Sequence, residues 1–161
     1  MNVLPDWLPP LILLEDYNGD WATYFENLYR LFLADFIQQT LTFQGRRLSC
    51  KRHPLIEGKE ATFWHLISEG KVEANRLPDL RRCERIRWPR AIIEHADDPA
   101  IKMWENERQG ETRTLLWLED QEYLVVLADR QKYVLIWTAY TVIRQHQKEK
   151  LRKEYEAYKK G

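Results

Sequence analysis

The spacing of apolar residues changes near Pro99, and the change divides the chain into two parts. Before this point apolar side chains recur every three or four residues, which is the period of an amphipathic helix. The pattern predicts helices at residues 18–36, 60–69 and 78–95. Asn18 or Asp20 suits the N-cap of the first helix, and Pro89 is expected to kink the third.

After Pro99 the helical spacing ends and β-like segments follow, the last two rich in Val, Leu, Ile, Tyr and Trp as inner strands are. Four such segments cover residues 101–107, 112–118, 122–128 and 132–140. The connections between them are short, so neighbouring strands are expected to run antiparallel. A looser alternation around Gly45 indicates a short extended or hairpin segment, and the charged residues from 141 to 160 predict a C-terminal helix. The fold class that follows is α+β: N-terminal helices packed on a four-stranded antiparallel meander, followed by a C-terminal helix.

Charge is unevenly distributed along the chain although its net charge is zero. Six of the first 44 residues are acidic and one is basic, so this part carries a net charge of −5 and the remainder +5. Three prolines predict that residues 1–17 form an irregular acidic arm ahead of a single α+β domain at 18–161. The asymmetry fits either a functional division between arm and body or the ordinary variation of a small domain.

Composition restricts the class of protein. With 161 residues, of which 44% are hydrophobic and 31% charged, the chain can fold as one domain with its own core. No apolar run approaches the roughly 20 residues of a membrane span. No secretory signal is visible at the start, and two cysteines do not make a disulfide scaffold. We therefore expect a cytoplasmic protein that does not enter a membrane.

Common catalytic and cofactor motifs are missing from the sequence. It has no phosphate-binding loop, no dinucleotide-binding glycine pattern, no nucleophile elbow and no zinc-protease motif. The four histidines do not have the spacing of metal ligands. We therefore expect neither a metal nor another cofactor, and the sequence favours chemistry performed by side chains alone.

Three groups of residues carry side chains suited to such chemistry. Residues 81–90 contain five arginines, whose planar guanidinium groups bind phosphate oxygens. His53 and His65 exchange protons near neutral pH. Thr138 and Tyr140 are expected on one face of the last strand, with Trp137 on the other. Each group also has an ordinary structural explanation, namely ion pairs at the core edge, boundary histidines and the β propensity of Thr and Tyr.

Together these groups supply what RNA cleavage without a metal requires. A base must activate the ribose 2′-hydroxyl, an acid must protonate the leaving 5′-oxygen, and cationic donors must stabilise the phosphorane. The residues expected to share one phosphodiester are His65, Arg82, Thr138 and Tyr140. The residues expected to bind the surrounding RNA are His53, Arg81, Arg85 and Trp88.

The stretches that contain these residues resemble a group of phage- and plasmid-associated proteins. The similar segments are His53-Pro54-Leu55, Phe63-Trp64-His65, the run from Arg76 to Trp88, and Trp137-Thr138-Ala139-Tyr140, within roughly residues 50–145. The group is assigned to the barnase–EndoU–colicin–RelE superfamily of metal-independent ribonucleases, many of them toxins. Its members have N-terminal helices followed by a four-stranded antiparallel meander.

The resemblance implies a nuclease-like domain that cleaves RNA on the exposed face of the sheet. It implies the same site residues, with His65, Arg82 and Thr138 or Tyr140 foremost and His53 and Arg85 second. It also implies a toxin or phage-related effector whose partners are RNA and an antitoxin or immunity protein. Many toxins of this superfamily are strongly basic, whereas this chain is neutral. We therefore expect a partner, or a ribosome that presents the RNA, to contribute to affinity.

A second class of function would use the same residues without catalysis. A regulatory or nucleic-acid adaptor module of this fold would bind a phosphate group or an acidic partner through its arginines, and its histidines would be structural. Expression in bacteria separates the two hypotheses, because a toxin slows growth and a binding module does not.

Overall fold

A computed structural model of the chain describes residues 3–69 and 77–161. Within these ranges the helices are α1 (Trp21–Phe32), α2 (Ala61–Ile67), α3 (Leu80–Glu84), α4 (Trp88–Glu94) and α5 (Gln145–Lys160). The strands are β1 (Leu41–Phe43), β2 (Arg46–Ser49), β3 (Ser68–Glu69), β4 (Leu77–Pro78), β5 (Lys102–Arg108), β6 (Glu111–Leu118), β7 (Tyr123–Asp129) and β8 (Val134–Thr141). Arg76 of the family-like stretch and the first two residues of the predicted arm lie outside the described residues.

The first predicted helix is confirmed as α1, with Asp20 at its N-cap in an extended conformation. Tyr24, Leu28 and Phe32 recur every four residues and are fully buried, so this row faces the core. The helix then widens into a π turn at Leu33–Ile37.

The third predicted helix is wrong in one respect, because residues 78–95 form two helices. A turn at residues 85–87 separates α3 from α4. Pro89 lies in the first turn of α4, where a missing backbone N–H leaves no helical hydrogen bond unmade. The proline therefore begins a helix instead of kinking one. The C-terminal helix also starts later than predicted, at Gln145, because Thr141 belongs to β8.

The predicted meander is confirmed, but the sheet that contains it has six strands and not four. Its order is β1-β2-β8-β7-β6-β5, and β5 to β8 are antiparallel neighbours in sequence order. The correction comes from the β1–β2 hairpin, whose second strand runs parallel to β8 through the pairs Leu48–Val134 and Ser49–Leu135. The hairpin around Gly45 is indicated by the sequence and is confirmed, but its pairing with β8 joins distant parts of the chain, on which local spacing carries no information.

Two hairpins use the same turn chemistry. Gln44 and Gly45 connect β1 to β2, and Gln109 and Gly110 connect β5 to β6; all four residues have positive φ angles, between 50° and 80°. Two-residue connections with positive φ at both positions match the right-handed twist of the flanking strands. Glycine adopts this backbone without strain.

The two faces of the six-stranded sheet are covered differently. Helices α1 to α4 pack on one face, as predicted, and bury residues such as Leu116, Val125 and Ile136. Helix α5 covers only part of the other face, which we call the α5 face. There the Trp104 indole meets the Tyr155 ring with centroids 5.5 Å apart. The indole Nε1 of Trp104 donates a hydrogen bond of 2.8 Å to Glu154 of α5. The α5 face beside β8 stays accessible.

The N-terminal arm is irregular apart from a 3-10 turn at Leu14–Tyr17, and it packs against the body. The Trp7 indole stacks on the His95 ring at a centroid distance of 4.6 Å and donates a hydrogen bond to Asp98. The Pro9 carbonyl accepts from the indole Nε1 of Trp88 at 2.9 Å. These contacts hold the arm along α4 and the turn that follows it. In the described ranges no helix is long and apolar enough to cross a membrane.

Candidate functional site

A β-bulge in β8 sets which side chains reach the α5 face. Val126 pairs with Thr138, but the next residue of β7 pairs with Ile136, so Trp137 is an extra residue in β8. Thr138 and Tyr140 share a face, as predicted. Trp137 was expected on the opposite face, but it lines the same cavity as these two. The bulge breaks the alternation that the prediction assumed.

Two adjoining concavities lie between β8 and helix α5. The first, of about 720 Å³, is bounded by β6, β8 and α5 and is lined by Trp137, Thr138 and Tyr140. The second, of about 830 Å³, continues past the end of β8 toward the start of α3 and is lined by Arg81 and Arg82. Tyr140 lines both, as does Gln147 of α5. We call this continuous depression the β8 groove.

The β8 groove is locally cationic although the whole chain is neutral. Six basic side chains line it: Arg81, Arg82, Arg108, Arg113, Arg144 and Lys150. Four acidic side chains also line it: Glu69, Asp79, Glu107 and Glu154. The lining therefore carries two more positive than negative charges, which suits an anionic ligand such as a phosphate backbone.

Arg82 lies where helix α2 ends against the edge of β8. Its Nη1 donates hydrogen bonds to the carbonyl of His65 at 3.2 Å and to the carbonyl of Ser68 at 2.6 Å. The His65 carbonyl belongs to the last turn of α2, where carbonyl oxygens have no partner within the helix, and Ser68 is the C-cap residue that follows it. A positive charge is also favourable at this end of the helix dipole. The arginine thus caps α2 while it lines the groove.

The predicted residues Thr138 and His65 meet at the same point. The Thr138 hydroxyl donates to the His65 carbonyl at 3.2 Å, so this one oxygen accepts from both Thr138 and Arg82. Hence the structure brings His65, Arg82 and Thr138 together, and the shared atom is a backbone oxygen. Their predicted roles in chemistry stay predictions.

The ring of Tyr140 contacts Arg82 and completes the cluster that His65, Arg82 and Thr138 form. The guanidinium carbon of Arg82 lies 5.5 Å from the centre of the Tyr140 ring, which is a cation–π contact. Burial raises the pKa of the Tyr140 hydroxyl, while Arg82 and Arg108 act in the opposite direction. In the described part of the chain, no residue hydrogen-bonds to this hydroxyl. Because its pKa is raised, the hydroxyl keeps its proton at neutral pH and can donate a hydrogen bond, and Tyr140 lines both concavities of the groove.

The imidazole of His65 is 4% exposed and lines neither concavity. Its Nδ1 lies 3.3 Å from the carbonyl oxygen of Trp137, and its ring meets the Trp137 indole edge at 5.6 Å. A carbonyl oxygen only accepts, so a hydrogen bond here places the proton on Nδ1.

Of the residues predicted to bind RNA, Arg81 lines the second concavity and the others do not. Trp88 is 5% exposed and its ring packs edge-on against Tyr123, so no base can stack on it. That prediction is wrong because the indole belongs to the core. Arg85 lies over Trp88 at 5.1 Å and donates to the Arg81 carbonyl. His53 is exposed in the loop between β2 and α2.

Several groove residues were not found by sequence reasoning. Arg108, Arg113 and Lys150 line the first concavity. The position of Arg113 has a signal in the sequence, because it lies two residues before Leu115 and so shares its face of β6. Nothing in the sequence shows how much of that face α5 leaves open, and this decides whether the charge is accessible.

Among the described residues, no three His, Cys, Asp or Glu side chains come together as a metal-binding group. Compared with protein-family models, with curated proteins and with solved structures, the chain matches none of them.

Proposed function

We propose that the chain is a metal-independent endoribonuclease that binds RNA in the β8 groove and cleaves it through attack of the ribose 2′-hydroxyl. The observation that carries the proposal is the Arg82–Tyr140 contact at 5.5 Å, with Tyr140 lining both concavities of a cationic groove. The resemblance to the barnase–EndoU–colicin–RelE superfamily supports the same activity. A toxin or phage-related effector with an antitoxin or immunity partner remains part of this proposal.

The proposed reaction makes one bond and breaks one bond at phosphorus. The 2′-oxygen attacks the phosphorus atom, the bond to the 5′-oxygen breaks, and the products are a 2′,3′-cyclic phosphate and a free 5′-hydroxyl. Arg82 lies beside the developing negative charge, where a fixed cation is most stabilising. Tyr140 donates its proton to the leaving 5′-oxygen, which its raised pKa allows because the hydroxyl stays protonated at neutral pH.

We assign the base to His65 and the positioning role to Thr138. His65 would take the 2′-hydroxyl proton on its imidazole ring, whose Nδ1 faces the Trp137 carbonyl. Because the ring is 4% exposed, the α2–β8 contact has to rearrange when RNA binds, as catalytic contacts often tighten only in the complex. Thr138 holds the His65 carbonyl, and through it the end of α2, against β8.

A non-catalytic binding module is the second candidate, and one observation favours it. Arg82 already caps α2 and His65 is buried, so both side chains have a structural role that needs no chemistry. In that case the groove binds a phosphate backbone or an acidic partner and leaves it intact.

RNA cleavage in the presence and absence of EDTA separates the two candidates. The enzyme should cleave in EDTA and leave 2′,3′-cyclic phosphate ends, and a strand with 2′-O-methyl groups should resist it because the nucleophile is blocked. Dependence on Mg²⁺ would contradict the mechanism. Failure to cleave either free or ribosome-bound RNA would favour the binding module.

A further inference from the structure

A third concavity opens on the α5 face at the start of β8, at the opposite end of this strand from Arg82. It has a volume of about 480 Å³ and shares Trp137 with the β8 groove. Lys51, Arg130 and Tyr133 also line it, and none of its lining residues in the described chain is acidic. Lys51 and Arg130 make the lining of this concavity cationic, which favours an anionic group.

Aromatic side chains form a row along β8 that leads from this concavity to the Arg82 cluster. Tyr133, Trp137 and Tyr140 all line concavities of the same face. Trp137 and Tyr140 are an odd number of residues apart, and the extra residue of the bulge brings their side chains to one face. From Tyr133 to Tyr140 the strand covers about 20 Å. The Tyr133 side chain is exposed and lies next to the turn that carries Arg130.

Guanidinium groups beside this row are held in fixed positions by one carboxylate. Glu111 pairs with the Nε of Arg130 at 2.9 Å and with the Nε of Arg113 at 3.4 Å. The guanidinium carbon of Arg113 in turn lies 4.9 Å from the centre of the Trp137 ring. Cations and planar groups are therefore ordered around Trp137 before any ligand arrives, which lowers the entropy cost of binding.

We propose that the concavity lined by Tyr133 and Arg130 is a nucleotide subsite for single-stranded RNA that flanks the bond to be cleaved. The base stacks on the Tyr133 ring and the phosphate lies toward Arg130, while the strand follows β8 to Tyr140. A single strand is required because a duplex hides the faces of its bases. Aromatic rings combined with a cationic track are how proteins bind single strands without reading sequence. This inference rests on the proposed function, since it extends the same groove.

The test measures the affinity for a fluorescein-labelled 2′-O-methyl RNA strand, which binds but lacks the nucleophile. Fluorescence anisotropy is recorded for wild type, Tyr133→Ala, Tyr133→Phe and Tyr158→Ala. Tyr158 is a matched control because it is an exposed tyrosine, 48% against 39% for Tyr133, and it lines none of these concavities. Tyr133→Ala should raise Kd roughly ten-fold, in the range found for a lost base-stacking ring. Tyr133→Phe and Tyr158→Ala should bind like wild type.

Three outcomes would overturn the subsite: no binding of the strand by wild type, equal binding by Tyr133→Ala, or equally tight binding of the duplex of the same sequence. The outcomes distinguish a failure of the subsite proposal from a failure of the nuclease proposal. Binding weakened by Tyr133→Ala without cleavage of ordinary RNA would support the subsite and reject the nuclease. Cleavage with no effect of Tyr133→Ala on either affinity or rate would support the nuclease and reject the subsite.

Discussion

The guanidinium carbon of Arg82 lies 5.5 Å from the centre of the Tyr140 ring, and the same side chain donates to the His65 carbonyl. One arginine therefore connects α3, the end of α2 and the end of β8. Both α2 and the end of β8 meet a partner here: carbonyls in the last turn of a helix have no partner within the helix, and β2 pairs only with the first residues of β8. The candidate site forms where Arg82 donates to carbonyls at the end of α2 and contacts the Tyr140 ring at the end of β8.

Arg82→Ala should reduce both stability and cleavage. Loss of two charge-assisted hydrogen bonds to carbonyls lowers the free energy of unfolding by about 2–3 kcal/mol. Cleavage should fall about 10²-fold or more, because a fixed cation at the phosphorane is lost. Urea unfolding and cleavage rates, the latter measured where the variant is folded, check both effects.

Arg81→Ala is the matched control for that substitution, because Arg81 is an exposed neighbour in the same helix. It should change stability by no more than about 0.5 kcal/mol, as exposed positions usually do. If Arg81→Ala lowered the free energy of unfolding as much as Arg82→Ala does, the role of Arg82 as the cap of α2 would be refuted.

His65→Gln tests the imidazole without removing the backbone carbonyl that organises the cluster. If His65 is the base, cleavage should fall by roughly 10²–10⁴ and the limb of the pH–rate profile that reports the base should disappear. The affinity for a 2′-O-methyl strand is measured beside the rate, because the proposed rearrangement of the α2–β8 contact on RNA binding involves the His65 ring. An unaltered rate and pH profile would show that His65 is purely structural.

Asp35→Asn should stabilise the protein at neutral pH. Burial raises the pKa of Asp35, against the opposing effect of its hydrogen bond from Arg87. A carboxyl group with a raised folded-state pKa contributes stability below its unfolded pKa, and this is lost as pH rises through the folded pKa. The neutral amide avoids that loss, and its Oδ1 can keep accepting the hydrogen bond from Arg87.

The measurement for Asp35 is urea unfolding between pH 4 and 8. The advantage of Asp35→Asn should be largest at the high end and shrink toward pH 4. Glu156→Gln removes an exposed negative charge and should not reproduce this trend. A variant less stable than wild type at pH 7 would show that the Arg87 ion pair outweighs the cost of burial.

Much of the sheet could be predicted because β5 to β8 are segments of seven or eight residues, rich in strand-forming side chains towards the last two, with short turns between them. The two-residue period of a strand correctly placed Thr138 and Tyr140 on one face. It failed at Trp137, because one inserted residue reverses the face of every position on one side of it. Bulges leave no pattern that a single sequence reveals.

The remaining errors concern how elements meet. Trp88 lies in an arginine-rich run, and its burial depends on the N-terminal arm, whose Pro9 carbonyl accepts from its indole. That contact joins residues 79 positions apart. Likewise, the accessible part of the α5 face depends on Glu154, which anchors α5 to Trp104 and Asn106 of β5. Local periodicity carries no information about such distant pairs.

The proposal that Tyr140 delivers a proton in the β8 groove is tested most directly by Tyr140→Phe. This change removes one oxygen atom and keeps the ring beneath Arg82, so the cluster should remain intact. Single-turnover cleavage of RNA in EDTA, and the affinity for a 2′-O-methyl strand, are compared among wild type, Tyr140→Phe and Lys153→Ala, whose lysine is exposed on α5. The account predicts a rate roughly 10²–10⁴ lower for Tyr140→Phe with unchanged affinity, and a normal rate for Lys153→Ala. Cleavage by Tyr140→Phe at the wild-type rate would contradict it.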